Sequence, residues 1–345
     1  MKRTIEIIFL ILVTALVFSC AKDNEEDSPI TYKRVMSSWV KVNYPTKVSD
    51  TTASGTYILE NTDGYGEQPG DTSFVFIHYI KQSLDGNIVD YNVEEIARQL
   101  TTYDGSFSEG DYFGPSIWQL GKGHIPKGIE EVISRMKVGG TVKIALPLAA
   151  STVDSVYYNT FPSALESDNF LYTLTLEKVV TDIEKYQTDV MTAFRDSLFP
   201  GLSPAEEGFF FKKLVEAEPE YDEDGNLDTL SDDESIYVRY IARRLYDGKV
   251  FDTNIQDTAK KYRLYVSGKT YDALSISYYK DSATMIEKNS TVTGFTNAVR
   301  QMNFGEEAVT FFRSEWGYGD EGKSPSVPEY APLCFTIWAN KSSSD

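Results

Sequence analysis

The chain has 345 residues, 41% of them apolar and 25% charged, which is enough for two globular domains with separate cores. Its formal net charge of −19 creates a field that repels nucleic-acid phosphates, so no nucleic-acid partner is expected, and it likewise repels anionic membrane surfaces.

Lys2 and Arg3 open the chain, and Ile7 to Phe18 is an almost unbroken apolar run. As a helix this run covers only about 18 Å, short of a hydrocarbon core of about 30 Å, so it reads as a secretory signal over residues 1–19. It ends in Val17-Phe18-Ser19-Cys20, which resembles a bacterial lipobox. The resemblance implies that Cys20 is acylated, becomes the mature N-terminus and anchors the chain in the cell envelope, with the outer membrane as the expected site. Residues 21–28 are polar and acidic and resemble the surface-export signals of Bacteroidota lipoproteins. An acidic tether is expected over residues 20–49. With Cys20 committed to lipid, Cys334 stands alone in an apolar strand pattern, and no intramolecular disulfide is available to the mature protein.

Beyond the tether the chain carries one pattern twice. Residues 73–90 and 235–252 each read as a β-rich run with a tyrosine (Tyr79, Tyr240), an Asp-Gly turn, and an apolar pair ending in Asp90 or Asp252. Asp-Gly between strand patterns marks a tight turn because glycine accepts positive φ at no steric cost. A second shared block runs over 128–139 and 294–305. Apolar residues at 129, 132, 133 and 136, and at 295, 298, 299 and 302, predict one face of a short helix that Gly139 or Gly305 stops. Strands are predicted at 141–146 and 308–312, and closing strands at 170–179 and 333–338.

Between the halves, the spacing from Ile183 to Leu198 predicts a linker helix, ended by Pro200-Gly201. The expected organisation is a first domain over 50–182, a linker helix over 183–204 and a second domain over 205–341. Each domain is expected to be α+β, an antiparallel sheet wrapped on a short helix.

These blocks resemble the FKBP family of prolyl isomerases, the second half most specifically. There the resemblance rests on Val238-Arg239-Tyr240, residues 247–252, the helix start at Gly294, Gly317-Tyr318-Gly319, and Val327-Pro328 with residues 331–335. About twenty inserted residues follow Asp252. The resemblance implies a proline pocket floored by Tyr240, Phe251, Phe295, Val327 and Phe335, with Asp252 and Tyr318 at the rim. It also implies that the Val292 backbone N–H meets a substrate carbonyl.

The first half departs further. Tyr79 and Asp90 match, and Ile125, Ile129 and Tyr172 fall at floor positions, so a weaker apolar pocket is expected there. However, Val89 replaces an aromatic residue, and residues 148–153 stand where Gly-Tyr-Gly should be. The first half is thus a weak enzyme, a binding module or a spacer. Inserts near 91–114 and 253–283 either set specificity or cover the pocket mouths.

What the resemblance implies is peptidyl-prolyl isomerisation assisting the folding of exported proteins, carried mainly by the second domain. Proline-containing polypeptides would be the clients, and no cofactor is needed. The alternative is a non-catalytic binding module on the envelope, and a weaker third option is nutrient capture at the surface. His78 and His124 lack metal-ligand spacing, and residues 222–228 only faintly resemble a calcium loop, so no metal is expected.

Overall fold

The computed structural model describes residues 29–104, 108–153, 168–218 and 230–343. The expected signal segment, Cys20, the acidic run and residues 222–228 lie outside these residues. No helix among the described residues is long and apolar enough to cross a membrane.

The chain is α+β, and two domains repeat one plan. In chain order the first contains α1 (Pro29–Asn43), β1 (Tyr57–Thr62), β2 (Phe74–Ser83), β3 (Ile88–Tyr91), α2 (Glu94–Asp104), β4 (Ser116–Gln119), α3 (Lys127–Ile133), β5 (Thr141–Leu146) and β6 (Phe170–Val180). The second contains α4 (Ile183–Leu198), β7 (Phe209–Val215), β8 (Glu234–Arg244), β9 (Val250–Thr253), α5 (Gln256–Lys261), β10 (Leu274–Tyr278), α6 (Ser282–Lys288), α7 (Thr293–Val299), β11 (Glu307–Phe312) and β12 (Leu333–Asn340).

Both sheets are antiparallel. Their orders, β1-β5-β6-β2-β3 with β4 on β2, and β7-β11-β12-β8-β10 with β9 on β8, correspond strand for strand. The short helices α3 and α7 end one turn before the sequence pattern does, and α4 has the predicted bounds.

Strand periodicity explains why each sheet needs covering on both faces. On β2, Val75, Ile77 and Tyr79 point into the core under α3, while Phe74 and Phe76 point the other way, into a cluster with Ile117 and Ile183. On β11, Ala308 and Phe312 join the core with α7, while Val309 and Phe311 face outward onto Met191 of α4. Phe194 of α4 meets Phe311 edge-on at 5.1 Å between centroids. The predicted linker helix is therefore docked on the outer face of the second sheet.

The first sheet shows the same device. Met36 and Val40 of α1 pack on Leu59, Ala145 and Leu171, closing its outer face. The tether expected over 20–49 is thus corrected from Pro29 onward. Residues 29–43 are a helix whose apolar stripe is drawn onto the sheet. A helix ahead of the first strand belongs to each repeat.

The two domains meet across Arg244, which is 0% exposed at the end of β8. Its Nη1 donates to the Gly110 carbonyl at 2.7 Å and to the Ser326 carbonyl. Its Nε and Nη2 donate to Asp247, the latter at 3.0 Å, and Nη2 reaches the Asp111 carbonyl at 3.5 Å. The guanidinium also lies over the Tyr112 ring. Nearby, the Tyr112 N–H donates to the Pro325 carbonyl, and Phe74 meets Tyr330 edge-on. Beside them Glu329 accepts from the Ile117 N–H at 3.4 Å, and burial pushes its carboxyl up to about 7.

Two outcomes follow from this interface. Lysine offers one compact ammonium where a planar fork is needed, so Arg244→Lys should destabilise the chain by about 3 kcal/mol or more in denaturant unfolding, nearly as much as Arg244→Met. Glu329 keeps its proton in the folded chain up to about pH 7 but loses it above its usual 4.5 when unfolded. Its burial therefore weakens folding progressively as pH rises across that window. The difference in stability between Glu329→Gln and the parent should grow from pH 4.5 to 7 in the variant's favour and level off above, as read by paired denaturation curves.

Candidate functional site

The second domain holds a cavity of about 500 Å³ between the sheet and the start of α7. Tyr240 of β8, Phe251 and Asp252 of β9, Phe295 of α7 and Phe335 of β12 line it, with Val292 and Tyr318. Seven of the eight residues expected to form the pocket thus surround one space. The aromatic rings brace one another, Phe295 edge-on to Phe335 at 5.2 Å and to Tyr240 at 5.6 Å. Such rings offer flat apolar walls without free polar edges.

Val327 is the exception. Hydrogen bonds in both directions between Lys323 and Val327 close a turn, and Val327 points inward, 3% exposed, into the domain core instead of the cavity. Leu274, Ser290, Thr291, Thr293, Gly317 and Lys323 complete the lining and were not anticipated.

The rim is polar. The Tyr240 hydroxyl donates to Asp252 Oδ2 at 2.9 Å. Burial, reinforced by the Asp252 charge, pushes that hydroxyl far above the usual tyrosine range, so it stays a neutral donor. Tyr318 sits on the loop after β11, with Lys323 Nζ over its ring and 3.5 Å from its hydroxyl. The Val292 residue caps α7 with extended φ and ψ, and its N–H has no acceptor among the described residues. Gly294 permits the close seating of this helix, since a Cβ there would lie 2.5 Å from the Phe312 ring.

A clip behind the site is duplicated. Asn254 Oδ1 accepts from the Tyr240 N–H at 2.8 Å, and its Nδ2 donates to the Val238 carbonyl at 2.9 Å. In the first domain Asn92 makes the same two bonds, to the Tyr79 N–H at 2.7 Å and the Ile77 carbonyl at 2.8 Å. Tyr79 donates to Asp90 as Tyr240 does to Asp252. The signal for it was present as Asp-x-Asn, Asp90-Tyr91-Asn92 and Asp252-Thr253-Asn254.

The first domain keeps this frame but fills the space in front of it. Tyr79, Ile125, Ile129 and Tyr172 are each 4% exposed or less and belong to one closed core. The register explains the filling. Lys81 pairs with Asp90 and Tyr172 where Ala242 pairs with Asp252 and Phe335. That lysine is 2% exposed, its Nζ 4.0 Å over the Phe170 ring. Trp118 occupies the place of Ile276 and lies against Tyr79 at 5.8 Å. Burial also raises the Asp90 carboxyl above its ordinary value. The residues expected to floor the weaker pocket are thus crowded by larger neighbours than their counterparts in the second domain. A separate cavity of about 430 Å³ lies against α3, lined in part by Ile58, Val132, Met136 and Val142, and contains none of the expected site residues.

Comparison with known proteins bears on the second domain. The family model for FKBP-type peptidyl-prolyl cis-trans isomerases matches residues 228–338. The short-type peptidyl-prolyl cis-trans isomerase of Methanocaldococcus jannaschii is 31% identical over 85 residues, covering 24% of this chain and 49% of that protein. The chain thus spans about half the length of that curated relative. Among solved structures, a peptidyl-prolyl cis-trans isomerase from Pseudomonas syringae pv. tomato is 20% identical with a TM-score of 0.31, covering 46% of this chain and 91% of its own. The three FKBP domains of wheat FKBP73 are 16% identical with a TM-score of 0.28, covering 84% and 94%.

Because each asparagine of the clip is buried and replaces water for a strand N–H and a carbonyl, Asn254→Ala and Asn92→Ala should each cost about 1–3 kcal/mol. Chemical denaturation of the two variants checks this, and comparable losses are expected in both domains.

Proposed function

We propose that the chain is a peptidyl-prolyl cis-trans isomerase whose second domain acts on proline-containing polypeptides, and that a lipid on Cys20 holds it in the cell envelope, where it assists the folding of exported proteins. One observation carries the reading. The open, aromatic-walled cavity with an unengaged N–H and a polar rim falls inside the segment that the FKBP-type family model matches.

The chemistry requires no nucleophile. Rotation about an X–Pro bond meets a barrier of about 18–20 kcal/mol because the amide is partly double-bonded. Twisting removes that resonance and lowers the separation of charge between carbonyl and nitrogen. Walls formed by Phe251, Phe295, Phe335 and Tyr240 favour the less polar, twisted amide over the planar one. The Val292 N–H is available to a substrate carbonyl, which holds one side of the bond while the ring turns. Interactions made more strongly in the twisted state than in the planar one lower the barrier. In the first domain, the larger Lys81 and Trp118 stand at the positions of Ala242 and Ile276, which favours a structural or client-contacting role there.

The test is catalysis of X–Pro isomerisation by the whole chain, since α4 and Arg244 tie the second domain to the first. Acceleration above the spontaneous rate is expected. Phe251→Ala should lower kcat/KM by about 10- to 100-fold, the equivalent of about 1.5–3 kcal/mol of lost apolar contact. A folded chain with no acceleration on several X–Pro peptides would remove the isomerase reading and leave the binding module.

A further inference from the structure

The insert after Asp252 leaves the sheet at the pocket rim and returns to it at Leu274, which lines the cavity. Its outer surface is a run of cations and tyrosines. Lys260 Nζ lies 5.4 Å over the Tyr265 ring, and Tyr265 stacks on Tyr271 at 5.6 Å and 12°. Lys269 Nζ lies 5.3 Å over Tyr271 and 3.8 Å from Asp252 Oδ1, which lines the cavity. A continuous ladder thus links α5 to the proposed proline pocket. The sequence here is opposite in sign to the rest of the chain. Between Asp252 and Leu274 stand Lys260, Lys261, Arg263 and Lys269 against Asp257 and Asp272, in a chain of net charge −19.

Three of these cations have carboxylate neighbours, Lys260 with Asp257 at 3.7 Å, Arg263 with Glu109 at 3.4 Å and Lys269 with Asp252 at 3.8 Å. Side chains of the first two pairs are mostly well exposed, so solvent screens them and a competing carboxylate can replace either partner. Lys261 has no carboxylate partner among the described residues, and it and Arg243 both lie over the Tyr262 ring. Arg263 holds φ at 58°, a conformation that favours glycine.

We propose that this ladder is a docking strip for an acidic segment of the client polypeptide, within a few residues of the proline seated in the cavity. The adjacency to proline rests on the isomerase reading, whereas the acidic preference rests on the strip itself. Elsewhere the negative chain repels an acidic client, so the strip is where such a segment can settle. Cations laid over ring faces keep their charge and present it outward, and the tyrosines add flat contact area beside them.

The test uses the whole chain and three fluorescent peptides with one central proline, flanked by glutamate, glutamine or lysine. Anisotropy reads binding, and exchange kinetics on the same peptides read turnover. The glutamate peptide should bind about tenfold tighter than the glutamine peptide at low salt, and the difference should collapse by about 0.5 M salt. In Lys260→Gln/Lys261→Gln the preference should fall by about threefold or more while the glutamine peptide binds and turns over as before. Equal binding of the glutamate and glutamine peptides overturns the proposal, as does a preference unchanged in the double variant. Acid-selective binding without turnover keeps the strip and sinks the isomerase reading. Turnover without selectivity does the reverse.

Discussion

A fully buried guanidinium must find an acceptor for each of its N–H groups, and at Arg244 those acceptors come from three places. Gly110 and Asp111 belong to the first domain, Asp247 to the hairpin after β8, and Ser326 to the loop between β11 and β12. An unmatched charge at this depth costs several kcal/mol, so the three segments hold together or the interface opens. The loop with Ser326 also carries Lys323, which lines the cavity, and Val327, which anchors that loop in the core. The position of one domain against the other and the shape of one pocket wall thus depend on the same side chain.

Seen as repeats, the domains differ by little. Each has a helix on the outer sheet face, the same strand order, and a tyrosine tied to an aspartate and an asparagine. What separates a cavity from a core is volume on one face of the sheet. The larger Lys81 and Trp118 stand at the register positions of Ala242 and Ile276. A lysine is accepted there because its stem packs as an apolar chain and its ammonium meets the Phe170 ring.

The regular parts of this fold were legible because they are periodic. Strand patterns marked 141–146 and 170–179, the latter running on to Val180, and the i, i+3, i+4 spacing marked α3, α4 and α7. Seven pocket residues were found through the resemblance, since their order along the chain survives even with a long insert between them. The failures have physical causes. Residues 29–49 were grouped with the acidic run before them, although Met36 and Val40 supply a stripe that the first sheet buries. Val327 was assigned by motif, and a turn closed by backbone bonds rotates it inward. Arg244 was not singled out, because nothing local announces its partners, two of which lie more than a hundred positions away. Burial of a charge is decided by the tertiary structure, which no single window of sequence contains.

The two inserts illustrate how that long-range partnership shapes a site. The segment around Gly110 in the first domain turns inward, its Cα so close that a Cβ would lie 2.9 Å from Leu264 in the second insert. Arg263 reaches back to Glu109 across the same contact. The second insert is therefore held at its middle by the first domain and at its ends by Asp252 and Leu274. None of residues 253–273 lines the cavity. The insert therefore flanks the pocket and leaves its lining to the sheet, the start of α7 and the loop after β11.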